Sequence, residues 1–199
     1  MLAVLGILAG MATPLVSALV DAQRRDEVRA ELAQINNALE SYYFDNASLP
    51  AALNASDFYA IYLQPGVGGT AILDSWGQNQ TYLYQKTSSP DVANIYSRGE
   101  NGVDDGFGSE EHRVSFYGAI PGARRTRIRM RVIIEVMANY LEAGGALTGI
   151  WSTDRTAMGL GAEYANDGFG TPFSLDATSY VLRSAGPDRV MGNGDDLSS

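Results

Sequence analysis

Three landmarks occur twice in the same order along this chain, and that internal repeat constrains the fold more than any other feature of the sequence. Arg24-Arg25, at the opening of an amphipathic helical stretch, recurs as Arg124-Arg125. Asp74-Ser75-Trp76-Gly77 recurs as Asp167-Gly168-Phe169-Gly170. The run from Tyr96 through Ser97, Arg98 and Gly99 to Asp104 and Asp105 recurs as Arg183, Ser184, Ala185 and Gly186 onward, closed by Asp195-Asp196. Self-similarity of this kind means that one supersecondary unit is used more than once. Each unit reads as a helix, an aromatic-glycine turn, short strands and an acidic glycine-rich loop.

The first unit carries an extension that the second lacks. Residues 1–20 contain no charged side chain. As a helix rising about 1.5 Å per residue they would extend about 30 Å, the thickness of a bilayer core, so 1–22 reads as an apolar transmembrane segment with a kink at Pro14. Beyond it, Val28, Leu32, Ile35, Leu39 and Tyr42 alternate in steps of four and three, which is one face of a helix. The spacing predicts a single helix over 2–44, half in the membrane and half laid on a head, ending before Asp45-Asn46 and Pro50.

A short helix is expected over 57–63, and strands over 80–85 and 92–97 joined through Ser88, Ser89 and Pro90. The fold class is therefore α+β: a long N-terminal helix packed on a small antiparallel sheet, with the head repeated a second time. The first head spans 23–112. A polar linker punctuated by Gly118, Pro121 and Gly122 spans 113–122, and the second head, without a membrane segment, spans 123–199.

Composition narrows the functions. The net charge of −9 argues against nucleic acid, which needs a basic surface. The chain has no cysteine, so heads this small need a staple other than a disulfide, such as a metal or subunit packing. The two acidic loops suit a hard cation. Calcium takes oxygen ligands from carboxylates, amides and backbone carbonyls, and glycines let a loop fold tightly enough to turn carbonyls inward. In the first loop the candidates are Asn101, Asp104 and Asp105 with the carbonyls of Arg98 and Val103. In the second they are Asp188, Asp195 and Asp196 with the carbonyls of Ala185 and Val190. Neither loop has the twelve-residue EF-hand pattern.

No catalytic set is visible. His112, the single histidine, lies beside Glu110 and Glu111 in a polar stretch with no nucleophile pattern and is expected at the surface. Five arginines between Arg124 and Arg131 crowd the start of the second helix, where the dipole disfavours cations. They are expected to meet acidic loops of a neighbouring subunit, anionic headgroups or plain solvent.

Taken together, several of these residues resemble a known family. Leu5-Gly6-Ile7-Leu8-Ala9 followed by Pro14, then Tyr43-Phe44-Asp45-Asn46 and Pro50, are similar to the helix of type IV pilin-like proteins, and of the major pseudopilin of type II secretion systems in particular. Asp74-Ser75-Trp76-Gly77 resembles that family's Asp-Pro-Trp-Gly turn, and Ser97-Arg98-Gly99-Glu100-Asn101-Gly102 its calcium loop. The resemblance covers about residues 2–107. It implies a filament subunit, not an enzyme, anchored in the bacterial inner membrane by residues 1–20 before assembly, with its head in the periplasm or on an extracellular filament. It also implies self-association, contact with other pseudopilins and the secretion platform, and calcium bound by the loop residues named above. A basic leader upstream of residue 1, with a glycine or alanine at its cleavage point and a glutamate shortly after, is expected of such a subunit. Its absence would fit the alternative, a membrane-tethered calcium-binding or adhesive module that does not polymerise.

Overall fold

The computed structural model describes the backbone of residues 2–63, 72–76, 80–108 and 112–199, and the side chains of these residues from 16 onward. Helix α1 runs Leu2–Asn46, 45 residues or about 68 Å. Residues 16–44 contain neither glycine nor proline and are rich in alanine, leucine and glutamate, which favour helix. The helix runs two residues past its expected end because the Asn46 side chain donates to the Tyr42 carbonyl at 2.9 Å. Ala47 then turns left-handed, φ 53°.

The predicted helical face is the spine of the first core. Val28, Leu32, Ile35, Leu39 and Tyr42 are buried against Phe58 and Leu63 from the 53–63 segment and against Tyr82, Ala93, Ile95 and Phe116. Upstream, Val16, Leu19 and Val20 are exposed, so the helix projects from the head. The apolar span expected over 1–22 falls mostly on residues 1–15, whose side chains lie outside the described residues. Among the described residues no helix is long and apolar enough to cross a membrane.

The helix expected over 57–63 is the single turn α2, Ser56–Tyr59. Strands β1 (Leu83–Thr87), β2 (Val92–Tyr96) and β3 (Arg113–Tyr117) form an antiparallel meander in the order β1-β2-β3. The register pairs Leu83 with Tyr96 and Thr87 with Val92, which places β1 a few residues later than the sequence suggests. The expected linker over 113–122 is not a linker. Residues 113–117 pair along β2, with Ile95 opposite Val114 and Ala93 opposite the buried Phe116, because Val114 and Phe116 supply alternating inward side chains. Helix α3 begins at once, Ala119–Glu142.

The second half is built on α3. Met130, Ile133 and Met137 face a separate core with Trp151, Phe173, Leu175 and Leu182. Around them lie α4 (Trp151–Ala157) and a second meander, β4 (Ser174–Asp176), β5 (Val181–Ser184) and β6 (Leu197–Ser198). The chain is α+β throughout, a long N-terminal helix with small antiparallel sheets. Close approach at one point docks the aromatic-glycine turn on α3: a Cβ on Gly168 would lie 2.0 Å from the Gly122 carbonyl oxygen, and a Cβ on Gly122 2.3 Å from the Phe169 ring. Only glycines permit this contact, and Thr126 bridges it, donating to the Gly122 carbonyl and accepting from the Gly168 N–H, both at 2.8 Å.

Candidate functional site

Each acidic loop leaves its sheet from a serine that is gripped by a buried carboxylate. Asp74 is 3% exposed and Asp167 fully buried. Asp74 accepts from the Ser97 hydroxyl at 2.7 Å and from the N–H groups of Arg98 and Trp76, both at 3.1 Å. Asp167 accepts from the Ser184 hydroxyl at 2.6 Å and from the N–H groups of Phe169 and Thr171 at 2.9 Å. A buried carboxylate needs such donors, because leaving water without them costs several kcal/mol. Ser97 and Ser184 each then accept from the N–H two residues on, Gly99 at 2.8 Å and Gly186 at 3.3 Å. Both glycines are left-handed, at φ 66° and 67°. A Cβ on Gly186 would sit 2.3 Å from the carbonyl oxygen of Asp195, so this residue pins the end of the loop to its beginning.

The loops continue alike. Arg98 and Ala185 each follow the gripping serine. Asn101 accepts from the Val103 N–H at 2.9 Å, and Asp188 accepts from the Val190 N–H at 2.8 Å. Asn101 also donates to Asp105 at 2.8 Å, while Asp188 accepts from Asn193 at 2.6 Å. Asp104 accepts from the Tyr96 hydroxyl at 3.2 Å and the Gly106 N–H at 3.1 Å. Asp195 accepts from the Asp188 N–H at 3.3 Å, and one oxygen of Asp196 accepts from the Gly192 N–H at 2.7 Å. The other oxygen of Asp196, Oδ1, is shielded from solvent and has no hydrogen-bond partner. Val103 and Val190 are exposed at the loop tips.

The structure thus brings Asn101 together with Val103 and Asp105, and Asp188 with Val190 and Asp195, each within its own loop. Among the described residues, no three acidic or histidine side chains are grouped closely enough to hold a metal by themselves. The donor set is nonetheless all hard oxygen, and the orphaned Asp196 Oδ1 is an acceptor that a cation would satisfy.

Sequence reasoning missed Asn193, although an asparagine between glycines in an acidic loop was visible. It also read Asp74 and Asp167 only as members of the aromatic-glycine turns. The available signal was the pairing of each aspartate with a Ser-x-Gly further along.

His112 is not at the surface. It is 7% exposed and stacked on Trp76, centroids 6.2 Å apart, with the Arg24 guanidinium 5.9 Å over the same indole. Its carbonyl accepts from the Ser97 N–H at 3.0 Å, so the chain that enters β3 closes over the Asp74 turn. The arginine run is partly spent within the chain. Arg124 lies 5.4 Å over the Phe44 ring and 3.7 Å from Glu40, joining α3 to α1. Arg129 donates to the carbonyls of Asn166 and Asp167 at 2.7 and 3.0 Å. Arg127 and Arg131 are exposed.

A helical spine packed on a three-stranded meander, with an acidic loop leaving the sheet beside a buried Asp-Trp turn, defines the head of a pilin-like subunit. Residues 16–115 match the family described as type II secretion system (T2SS), protein G, and the chain belongs to that family. It is a type II secretion pseudopilin, a structural subunit of an envelope secretion system and not an enzyme. The match ends inside β3, and α3 with the second meander lies beyond it. No curated protein and no solved structure matches the chain.

Glu31 couples the spine to the same turn. It accepts from the hydroxyls of Ser75, at 3.0 Å, and of Tyr82. Burial raises its pKa above the ordinary 4.5; the Tyr82 and Ser75 hydrogen bonds oppose the shift, while the charges of Asp74 and Glu27 reinforce it. The folded state therefore holds this proton to higher pH than the unfolded chain does. Its stabilising contribution is full below 4.5 and is lost as pH rises through the folded value. In unfolding curves of wild type and Glu31→Gln across pH 4 to 8, the wild type should gain on the variant as pH falls. A constant difference across that range would contradict the assignment.

Proposed function

We propose that this pseudopilin is a calcium-stabilised filament subunit, held in the inner membrane by its N-terminal helix before assembly, whose head is present twice. The observation that carries the filament reading is the projecting part of α1, where Val16, Leu19 and Val20 stand clear of the head. An apolar helix of this kind exchanges lipid for the helices of neighbouring subunits at little cost, since both surroundings are apolar. The second head is supported by the parallel bonding of Asp74 with Ser97 and Asp167 with Ser184, and of the Asn101 and Asp188 turns. Calcium is supported by the oxygen donors of both loops and by the unpartnered Oδ1 of Asp196. The ligand set comprises Asn101, Asp104, Asp105 and the carbonyls of Arg98 and Val103 in the first loop. In the second it comprises Asp188, Asp195, Asp196 and the carbonyls of Ala185 and Val190.

A bound cation would cancel like charge gathered in each loop and order the exposed tips at Val103 and Val190, which are placed to touch neighbouring subunits. Its partners are other copies of itself, the other pseudopilins and the secretion platform.

The absence of cysteine allows a direct test of assembly. Leu19→Cys combined with Val16→Cys, expressed with the secretion machinery and oxidised in the membrane, should yield a ladder of cross-linked multimers. Monomer alone, from a chain that reaches the membrane, would favour a tethered module that never polymerises.

Calcium has its own readout. Calcium at a hundredfold excess over its dissociation constant should stabilise the full chain in detergent by about 2.7 kcal/mol per filled site. Asp196→Asn should abolish the contribution of the second loop, and an unfolding midpoint insensitive to millimolar calcium would remove the metal from the account.

A further inference from the structure

Between the two proposed ligands Asp188 and Val190 lies Arg189, and its side chain does not stay in the loop. It crosses to the first half, where its guanidinium meets the carboxylate of Asp91 at 2.5 Å. Asp91 is 7% exposed and also accepts from the Tyr43 hydroxyl, at 2.8 Å, on the spine helix. The carbonyl of Asp91 accepts from the Gly118 N–H at 2.9 Å, at the entry to α3. On its way the arginine donates from Nε to the Phe169 carbonyl at 2.9 Å, touching the turn whose Asp167 grips the loop's serine. The backbone of Arg189 is left-handed, φ 64°, a conformation that a non-glycine residue adopts when its surroundings hold it there.

We propose that Arg189 is the positioning residue of the second cation loop, and that docking of the two halves and calcium binding by that loop are one coupled equilibrium. This rests on the calcium reading of the preceding section. The left-handed turn at Arg189 sets the direction of the peptide groups on either side: the Arg189 N–H donates to the Gly186 carbonyl at 3.2 Å and the Val190 N–H to Asp188 at 2.8 Å. The side chain fixes that turn by pairing with Asp91 and the Phe169 carbonyl. When the pair is lost, the loop is free to relax, and the oxygens of Asp188, Asp195 and Val190 are no longer held together in advance. Preorganisation of this kind lowers the entropic cost of binding. Coupling of binding free energies is reciprocal, so calcium must also tighten the contact between the halves.

The seam residue Asp91 lies far from the loop in sequence and contributes no ligand to it, which makes it a clean handle. The test uses the full chain in detergent, with calcium itself as the probe, in a background where Asn101→Ala and Asp104→Ala silence the first loop. Calorimetric titration should show that Asp91→Asn weakens calcium binding on the order of tenfold, within the usual span of such couplings. Arg189→Ala should weaken it at least as much. Arg189→Lys, which keeps the charge but not the planar fork, should fall in between. In the reciprocal arm, calcium should slow hydrogen exchange at the Gly118 N–H in the parent background and leave it unchanged in Asp196→Asn. Calcium binding at parental affinity in Asp91→Asn and Arg189→Ala would overturn the coupling and leave the calcium site standing. No calcium binding by the parent protein would overturn both.

Discussion

A buried carboxylate satisfied by hydroxyl and backbone donors, enclosed at the base of each half, sets the terms for the rest of the molecule. Asp74 and Asp167 are buried, and neither makes an ion pair among the described residues. Such a group is tolerated inside a protein when every strong acceptor lobe meets a donor, and the donors here are a serine hydroxyl and backbone N–H groups. The serine that leaves each sheet completes the hydrogen-bond shell of an aspartate whose own turn supplies backbone donors as well. That makes the path of each loop a consequence of burial. The serine must face inward, the glycine two residues later must turn left-handed, and the acidic stretch is thereby thrown to the outside.

The second organising element is the spine. The last turns of α1 bury the same face that the periodicity of the sequence marks, and they do so against the first sheet, while Tyr43 reaches Asp91 and through it Arg189 of the second half. Burial raises the Tyr43 hydroxyl well above its ordinary value, with Asp91 adding to the shift, so it stays a donor to that carboxylate. Arg124 adds a second tie, between α3 and the end of α1, through Phe44 and Glu40. The spine helix is thus tied by side-chain contacts to both halves of the chain.

Much of this was legible in the sequence. The spacing of Val28, Leu32, Ile35, Leu39 and Tyr42 identified the buried face, because helical periodicity survives any detail of packing. The two loops and their Ser-x-Gly entrances stood out through their repetition. The linker expected over 113–122 hid a strand, since Val114 and Phe116 alternate over too few residues to be separated from a polar connection. His112 read as a surface residue because its sequence neighbours are acidic, whereas its burial depends on Trp76, brought beside it by the fold. The Asp91 to Arg189 pair spans the two halves, and no local pattern marks either partner. Long-range pairs of this kind are where sequence reading stops, because they are properties of packing and not of spacing.

The central claim is that a buried aspartate holds each acidic loop through its serine. A double-mutant cycle on Asp167→Ala and Ser184→Ala, followed by denaturant unfolding of the full chain, measures that link directly. The account predicts that the two losses are strongly non-additive, with a coupling of about 1–3 kcal/mol, because either substitution already breaks the shared hydrogen bond. Losses that add to within about 0.5 kcal/mol would contradict it.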